Sequence, residues 1–120
     1  MRYMLLVYKD EKLWGETCEQ EIGAAALQEL DELNEELRKR GVFEAGDPLE
    51  SPSSATTVRL KDGKPLMTDG PFAETKEQLG GYIIVEAKDL DEAIAIAARN
   101  PVLRAAFSIE VRPIRERPPR

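Results

Sequence analysis

The 120-residue chain contains no histidine and only one cysteine, Cys18. Histidine is the side chain that changes charge near neutral pH and the commonest transition-metal ligand, so its absence excludes imidazole catalysis and histidine-ligated metals. A single cysteine excludes an internal disulfide bond and a cysteine-cluster metal site. We therefore expect no bound metal and no cofactor.

Long apolar runs and an excess of positive charge are also missing. No apolar stretch approaches the ~20 residues needed to cross a bilayer. The apolar start of the chain is followed at once by charged residues 9–12 without a small-residue cleavage site, which favours a buried strand over a signal peptide. The net charge of -6 argues against a nucleic-acid-binding surface. We therefore predict a protein of the cytoplasm.

The residues that are present describe one globular domain. Hydrophobic residues make up 42% of the chain and charged residues 33%, which is typical of a folded rather than a disordered protein. The length suits a single core. We predict one domain over residues 1–115 and a flexible C-terminal tail over residues 116–120.

The hydrophobic periodicity predicts an α+β fold. Strands are predicted over 2–8, 42–46, 56–60, 65–68, 82–87 and 107–112, and helices over about 17–40 and 89–99. Thr17 and Gln20 are typical of a capping box, and Gly41 of a helix C-terminus. This order of elements predicts a ferredoxin-like sandwich with an added β-hairpin, whose turn is the Asp-Gly pair at 62–63.

This arrangement predicts one buried apolar face on each helix and one uncovered face on the sheet. The inward residues are predicted to be Ile22, Ala26, Leu30, Leu33 and Leu37 in the first helix, and Ala93, Ile94, Ala97 and Ala98 in the second. Helices on one side of a sheet leave its other side uncovered. We therefore predict a homodimer that buries sheet against sheet.

The segment from Asp69 to Tyr82, DGPFAETKEQLGGY, has turn formers, charges of both signs and no apolar periodicity. Such a segment is typical of an ordered loop that presents polar groups. Gly80 and Gly81 are predicted to serve a β-bulge or a close backbone approach. The residues predicted to bind a ligand are Asp69, Phe72, Glu74, Thr75, Lys76, Gln78 and Tyr82.

Asp69 is also the predicted catalytic residue, because it ends a strand just before a Gly-Pro turn that would hold it in place. Its structural alternative is a turn cap that accepts hydrogen bonds from backbone N–H groups of residues 70–72. A third alternative pairs Asp69 with Glu74 for acid–base work or for a magnesium ion.

The same segment closely resembles the DGPF signature of the YCII-related family of small bacterial proteins. The resemblance extends over residues 2–8, 44–49, 55–59, 68–82, 89–93 and 108–113. It implies a dimeric ferredoxin-like fold of the dimeric α/β-barrel type, with a functional cleft beside the signature loop. In YciI-like relatives a histidine and an aspartate in a cleft imply an enzyme, but here the histidine position falls around Gln28 or Glu29.

Three hypotheses of different classes follow. The preferred one is a protein that binds a small molecule in the cleft beside the signature loop, as an accessory in signalling. The second is a cofactor-independent enzyme with Asp69 as acid or base, which requires a buried Asp69 in a closed cavity. The third is a protein-interaction partner of a transcription regulator, which predicts an exposed apolar patch and no cavity. The expected partners are a second copy of the chain and an unidentified small molecule, and neither nucleic acid nor a membrane.

Overall fold

The computed structural model describes residues 1–118, which form an α+β fold. Its elements are β1 (Arg2–Asp10), α1 (Cys18–Ile22), α2 (Ala24–Lys39), β2 (Phe43–Pro48), β3 (Thr56–Lys61), β4 (Lys64–Asp69), β5 (Glu77–Glu86), α3 (Leu90–Ala98) and β6 (Ser108–Pro113). Short 3-10 turns occupy Glu11–Leu13, Pro52–Ser54 and Pro101–Ala105. Residues 119 and 120, which belong to the predicted tail, lie outside the described part of the chain.

The main sheet has the strand order β2-β5-β1-β6, and all neighbouring strands are antiparallel. Strands β3 and β4 form a separate two-stranded sheet. The predicted α+β class is confirmed, and the strand order is consistent with a ferredoxin-like sandwich that carries an extra hairpin. None of the helices in residues 1–118 has the length and apolar character that a membrane span requires.

The core lies between one face of the sheet and the helices. Alternate residues of β1 point into it, because side chains along a strand alternate between the two faces. The buried core residues include Tyr3 and Leu5 of β1, Val85 of β5, Leu33 and Leu37 of α2, and Ala93, Ile96 and Ala97 of α3. The prediction for α3 is wrong at Ile94, which is 47% exposed, and at Ala98, which is also exposed. Ile96 is buried instead because positions 93, 96 and 97 share one face of a helix.

The single helix predicted over residues 17–40 is two helices separated at Gly23, whose φ of 89° is not helical. Thr17 is the N-cap of α1, and its hydroxyl accepts from the backbone N–H of Gln20 at 3.1 Å. The Gln20 side chain accepts from the N–H of Glu16 at 2.8 Å rather than from that of Thr17. The predicted cap is therefore confirmed, while the predicted reciprocal bond is shifted by one residue.

The hairpin turn and the helix ends follow local chemistry as predicted. Asp62 and Gly63 have φ values of 54° and 77°, which is the geometry of a type I′ turn. Gly41, with a φ of 72°, follows the end of α2. Asp89 caps α3 by accepting from the N–H of Glu92 at 2.9 Å. Each of these positions is determined by residues within about one turn of it.

Strand β5 begins at Glu77, five residues before its predicted start, because residues 77–79 pair with the end of β1. Val7 pairs with Gly81 and Tyr8 pairs with Leu79, which leaves Gly80 as the extra residue of a β-bulge. The predicted loop over residues 69–82 is therefore wrong in its second half. The predicted bulge is confirmed at Gly80.

The sheet face opposite the helices carries half-exposed apolar and aromatic side chains. These are Met4, Leu6 and Tyr8 of β1 and Leu79, Tyr82 and Ile84 of β5. The register places them on the side away from the buried face of Tyr3, Leu5 and Val85. The bare sheet face is thus present, while the homodimer that would cover it stays a prediction.

Candidate ligand-binding cavity

A partly enclosed cavity of about 210 Å³ lies between helices α1 and α2 and the buried face of the main sheet. Its apolar lining residues include Ile22, Leu27, Leu30, Phe43, Val102 and Phe107. Its polar lining residues include Lys9 of β1, Glu21 of α1 and Asn34 of α2. Strand β1 and the paired helices α1 and α2 therefore meet at one small chamber, and each of these elements contributes a polar side chain to its lining.

Lys9 and Glu21 form a buried ion pair in the wall of this cavity. Lys9 Nζ lies 2.6 Å from Glu21 Oε1, and the two side chains are 4% and 9% exposed. Glu21 Oε2 accepts from the backbone N–H of Gly15 at 2.9 Å. The Lys9 ammonium also lies 3.6 Å from the centre of the Trp14 ring, in cation–π geometry. The pair is therefore held between a short helix, a loop and an aromatic cover.

Gly80 of the signature makes room for Lys9. A Cβ atom built on Gly80 would lie 2.9 Å from Lys9 Cε and 3.3 Å from both Lys9 Cδ and Lys9 Cγ. Any larger residue would therefore displace the buried lysine stem. Gly81, the next residue, faces the backbone of β2, where an added Cβ would lie 3.1 Å from the carbonyl oxygen of Asp47. The predicted close approach is confirmed at both glycines.

The side-chain oxygen of Asn34 is shielded from solvent and has no hydrogen-bond partner among the described residues. Buried polar atoms are nearly always paired with protein, water or ligand. Asn100, which also lines the cavity, is satisfied, since its side-chain oxygen accepts from the N–H of Val102 at 3.0 Å. Asn34 therefore offers a free acceptor at the wall of a cavity that Lys9 also lines.

Asp69 lies elsewhere, as the last residue of β4, and it is exposed. No hydrogen bond to its carboxylate is formed within residues 1–118, so the predicted turn cap is absent there. The closed environment that acid–base work by Asp69 requires is also absent. Within residues 1–118 no group of three Cys, Asp or Glu side chains is placed to hold a metal ion, and Asp69 and Glu74 therefore belong to no such group.

The turn after Asp69 closes the base of the hairpin. Gly70 has a φ of 96°, its N–H donates to the carbonyl of Ala55 at 2.7 Å, and its carbonyl accepts from the Thr57 hydroxyl at 2.8 Å. Further along, Gln78 Nε2 donates to the carbonyls of Ala73 and Thr75 at 3.0 and 3.1 Å. The signature loop is therefore ordered by its own backbone contacts.

Three of the predicted ligand-binding residues, Phe72, Thr75 and Gln78, line one open groove between this loop and the sheet. Thr75 and Lys76 line a second open groove on the other side of the loop. Asp69 and Glu74 line neither of these. Phe72 is 78% exposed, so it borders this open groove and does not pin the loop to the core. The ligand-binding roles of these residues stay predictions.

Tyr82 is held by Asp47 on the neighbouring strand β2. Its hydroxyl donates to Asp47 Oδ2 at 3.2 Å, and this hydrogen bond to a carboxylate raises the pKa of Tyr82. At the other edge of the sheet, burial and the nearby Glu110 carboxylate, 3.3 Å from the hydroxyl, raise the pKa of Tyr8. Both hydroxyls are therefore held as neutral donors.

Gln28 and Glu29, the positions predicted to correspond to the relatives' histidine, lie on α2 and do not line the cavity. Gln28 donates to Glu32 at 3.3 Å, and Glu29 pairs with Arg104. Both residues are exposed. Neither position therefore supplies a group to the chamber.

Sequence reasoning missed Lys9, Glu21 and Asn34. A signal for Lys9 was present, because it continues the odd-numbered series of Tyr3 and Leu5 that faces the core. A lysine in phase with a buried face indicates a buried charge that needs a partner. No comparable signal marks Glu21, which sits in an acidic stretch like any solvated helix surface.

The arrangement is that of an α+β protein with a buried ion pair beside a small internal chamber. A model of the YCII-related domain matches residues 1–117, and the chain belongs to this family. An uncharacterised protein of Rhizobium meliloti (strain 1021) is 32% identical over 118 residues, which cover 95% of this chain and 92% of that protein.

A similar solved structure is the 5-chloro-2-hydroxyhydroquinone dehydrochlorinase of Burkholderia phenoliruptrix AC1100 in complex with 2,5-dihydroxybenzoquinone. It has a TM-score of 0.47 and 18% sequence identity, over 96% of this chain and 94% of that one. The activity and the bound quinone belong to that enzyme, and neither is carried over to this chain.

Proposed function

We propose that this protein binds a small molecule in the cavity between α1, α2 and the sheet. The observation that carries the proposal is the buried ion pair of Lys9 and Glu21, whose Nζ and Oε1 atoms are 2.6 Å apart. This pair lines the same cavity as the unpaired side-chain oxygen of Asn34. The proposed site differs from the cleft beside the signature loop, although Gly80 and Gly81 of the signature line it.

Stability alone does not account for the ion pair. Removing two charges from water costs several kcal/mol per ion, and replacing a buried pair by apolar residues is often neutral or stabilising. Apolar residues of similar volume would therefore be expected to fill this part of the core about as well as Lys9 and Glu21. A ligand that interacts with one of them supplies the missing reason.

The chamber selects a small, partly apolar ligand. Its volume of about 210 Å³ is below the ~300–1,000 Å³ typical of drug-sized ligand pockets. The apolar walls, among them Phe43 and Phe107, suit a hydrocarbon or aromatic body. A hydroxyl or amine of the ligand would donate to Asn34, and an oxygen would accept one of the ammonium protons of Lys9. We therefore expect a compound of about one ring that carries both a hydrogen-bond donor and an acceptor.

Native mass spectrometry of the freshly purified protein tests the proposal, with two variants that separate the two candidate sites. Asn34→Leu removes the free acceptor at nearly constant volume, and Asp69→Asn removes the charge at the end of β4. We expect an adduct that Asn34→Leu loses and Asp69→Asn keeps. The opposite pattern would locate the ligand at the signature loop.

If no adduct is retained on purification, ligand-observed NMR with a set of small phenols and carboxylic acids replaces native mass spectrometry as the test. Binding to the wild type that Asn34→Leu abolishes supports the cavity. Equal binding by the wild type and by Asn34→Leu contradicts it.

A cofactor-independent enzyme is the second candidate, with the acid–base role moved from Asp69 to Lys9 and Glu21. The favouring observation is that the ammonium of Lys9 and the carboxylate of Glu21 lie at a partly enclosed chamber, whereas Asp69 is exposed. A ligand found by NMR would then be converted slowly by the wild type and not at all by Glu21→Gln. A ligand that remains unchanged over many hours favours binding without turnover.

The third hypothesis, a partner of a transcription regulator, predicts an exposed apolar patch outside the dimer interface and no cavity, with the outer helix face as the working surface. The outer face of α2 instead carries carboxylates such as Glu32 and Glu35. A protein that binds a ligand without converting it would suit an accessory role in signalling, and our proposal includes that role in this sense.

A further inference from the structure

We propose that the β3–β4 hairpin packs its apolar face against a second copy of this chain. The inference is independent of the ligand cavity, because it concerns a part of the molecule that does not line it. It also differs from a contact between the main sheets alone, because it assigns the hairpin to the interface.

The hairpin is amphipathic across its two faces. Residues that pair directly across an antiparallel ladder point to the same side. The register therefore puts Val58, Leu60, Pro65 and Met67 on one face, and Thr57, Arg59, Lys61, Lys64, Leu66 and Thr68 on the other. On the first face only the Thr56–Asp69 pair at the base of the hairpin is polar, and the four residues beyond it are apolar. The second face has one apolar residue among five polar ones.

The apolar face is open to solvent in the single chain. Val58 is 62% exposed, Leu60 76% and Met67 67%. Neither hairpin strand joins the main sheet, since β3 and β4 pair only with each other within residues 1–118. An isolated two-stranded hairpin is at best marginally stable in water, so this one needs a surface to pack on.

The dimensions of the chain show how much surface is available. Its radius of gyration is 16.2 Å, against about 14 Å for a compact monomer of this length. Its accessible surface is 8458 Å², against roughly 6,500 Å² for a monomer of 13.4 kDa. The excess is on the order of 2,000 Å², which exceeds the ~800 Å² that each partner buries in a standard interface.

The area favours a second copy as the occupant. Two strands of six residues present a face of roughly 20 by 10 Å, or about 200 Å², which is too small for a stable contact. The bare face of the four-stranded sheet offers about 400 Å² more at the same strand spacing. A dimer that buries both surfaces of both chains covers about 1,200 Å², which reaches the range of specific interfaces.

A partner from the same chain also removes a hazard. Exposed apolar strands with free edges promote aggregation, so their cover has to be present whenever the protein is. A second copy meets this condition at every concentration above the dissociation constant. A two-fold dimer also buries both hairpins in equivalent environments.

Sedimentation equilibrium of the full chain tests the proposal with a matched pair of variants. Met67→Lys adds a charge to the apolar face, and Leu66→Lys adds the same charge one residue away on the opposite face. We expect a wild-type dimer, a rise of at least about tenfold in the dissociation constant for Met67→Lys, and a change below about threefold for Leu66→Lys. Far-UV circular dichroism checks that both variants keep the main sheet.

Three outcomes overturn the proposal. One is a wild-type protein that is monomeric at all concentrations, and another is a dimer that neither variant weakens. The third is equal weakening by both variants, since a merely general effect of added charge would do that. If Met67→Lys does not fold, Val58→Lys provides the same test on the paired residue of the same face.

Hydrogen exchange gives an independent readout without substitution. Backbone amides of β3 and β4 are expected to lose protection when the wild type is diluted below its dissociation constant, while those of β1 and β5 keep theirs. Hairpin protection that does not change with dilution would contradict packing against a second copy.

Discussion

The buried Lys9–Glu21 pair makes the sharpest prediction about stability. Lys9→Met keeps the length of the side chain and removes its charge, so the Glu21 carboxylate loses its partner while it is only 9% exposed. Breaking a buried ion pair from one side typically costs about 3–5 kcal/mol, because an uncompensated charge stays in a poorly solvated place. That is a large part of the ~5–15 kcal/mol that usually holds a domain folded.

The second half of the prediction concerns the double variant Lys9→Met/Glu21→Leu. It removes both charges and leaves only the N–H of Gly15 without its acceptor, and Gly15 is exposed to water. We therefore expect the free energy of unfolding to return to within about 1 kcal/mol of the wild type, or to exceed it. The two substitutions should thus be strongly non-additive.

Urea denaturation followed by far-UV circular dichroism measures both quantities, at one protein concentration so that any dimer contributes equally. Lys12→Met, at an exposed lysine three residues along, is the control and should change the free energy by less than about 0.5 kcal/mol. A cost below about 1 kcal/mol for Lys9→Met would refute the reasoning. So would a double variant as unstable as the sum of its two single variants.

Three further predictions concern the signature and the sheet. Gly80→Ala places a Cβ 2.9 Å from Lys9 Cε and should lower the free energy of unfolding, measured in urea, by about 1–3 kcal/mol. An unchanged urea midpoint of unfolding would mean that the side chain of Lys9 moves aside without cost. Gly70→Ala forces alanine into a φ of 96° and should cost about 1 kcal/mol or more, seen as faster hydrogen exchange in the hairpin. Because burial and Glu110 raise the pKa of Tyr8 above its ordinary 10.0, the folded state keeps this proton longer than the unfolded state. The stabilisation that this difference in pKa contributes is therefore complete below the pKa of the unfolded state and is lost as the pH rises through the pKa of the folded state. Tyr8→Phe should reduce the fall of the melting temperature at alkaline pH. An identical fall in the wild type and the variant would contradict the role given to Tyr8.

Much of the fold follows from chemistry that acts over a few residues. The Asp62–Gly63 turn needs positive φ at both positions, which these two residue types tolerate best. Thr17 and Asp89 each satisfy a free N–H at a helix start. Gly41 follows the end of α2 with a positive φ, which glycine adopts without strain. Such features depend on neighbours in the chain and can be predicted without knowing the fold.

Predictions failed where a distant partner decided the outcome. Residues 77–79 look like loop in sequence, yet they are strand because β1 extends far enough to pair with them. Ile94 and Ile96 are equally apolar, and only the direction in which α3 packs makes the second one buried. Asp69 ends β4 as the sequence indicated, but its carboxylate is exposed and does not line the cavity, and its functional role stays a prediction.

The sequence by itself determined the α+β class, the family, the hairpin turn, the helix caps and the bulge at Gly80. Only the tertiary structure decided which polar groups meet. Lys9 and Glu21 are twelve residues apart on different elements, and their pairing depends on how α1 docks over the end of β1. Local propensity cannot encode such a meeting, because it arises from packing that buries apolar surface on both sides of the two charges.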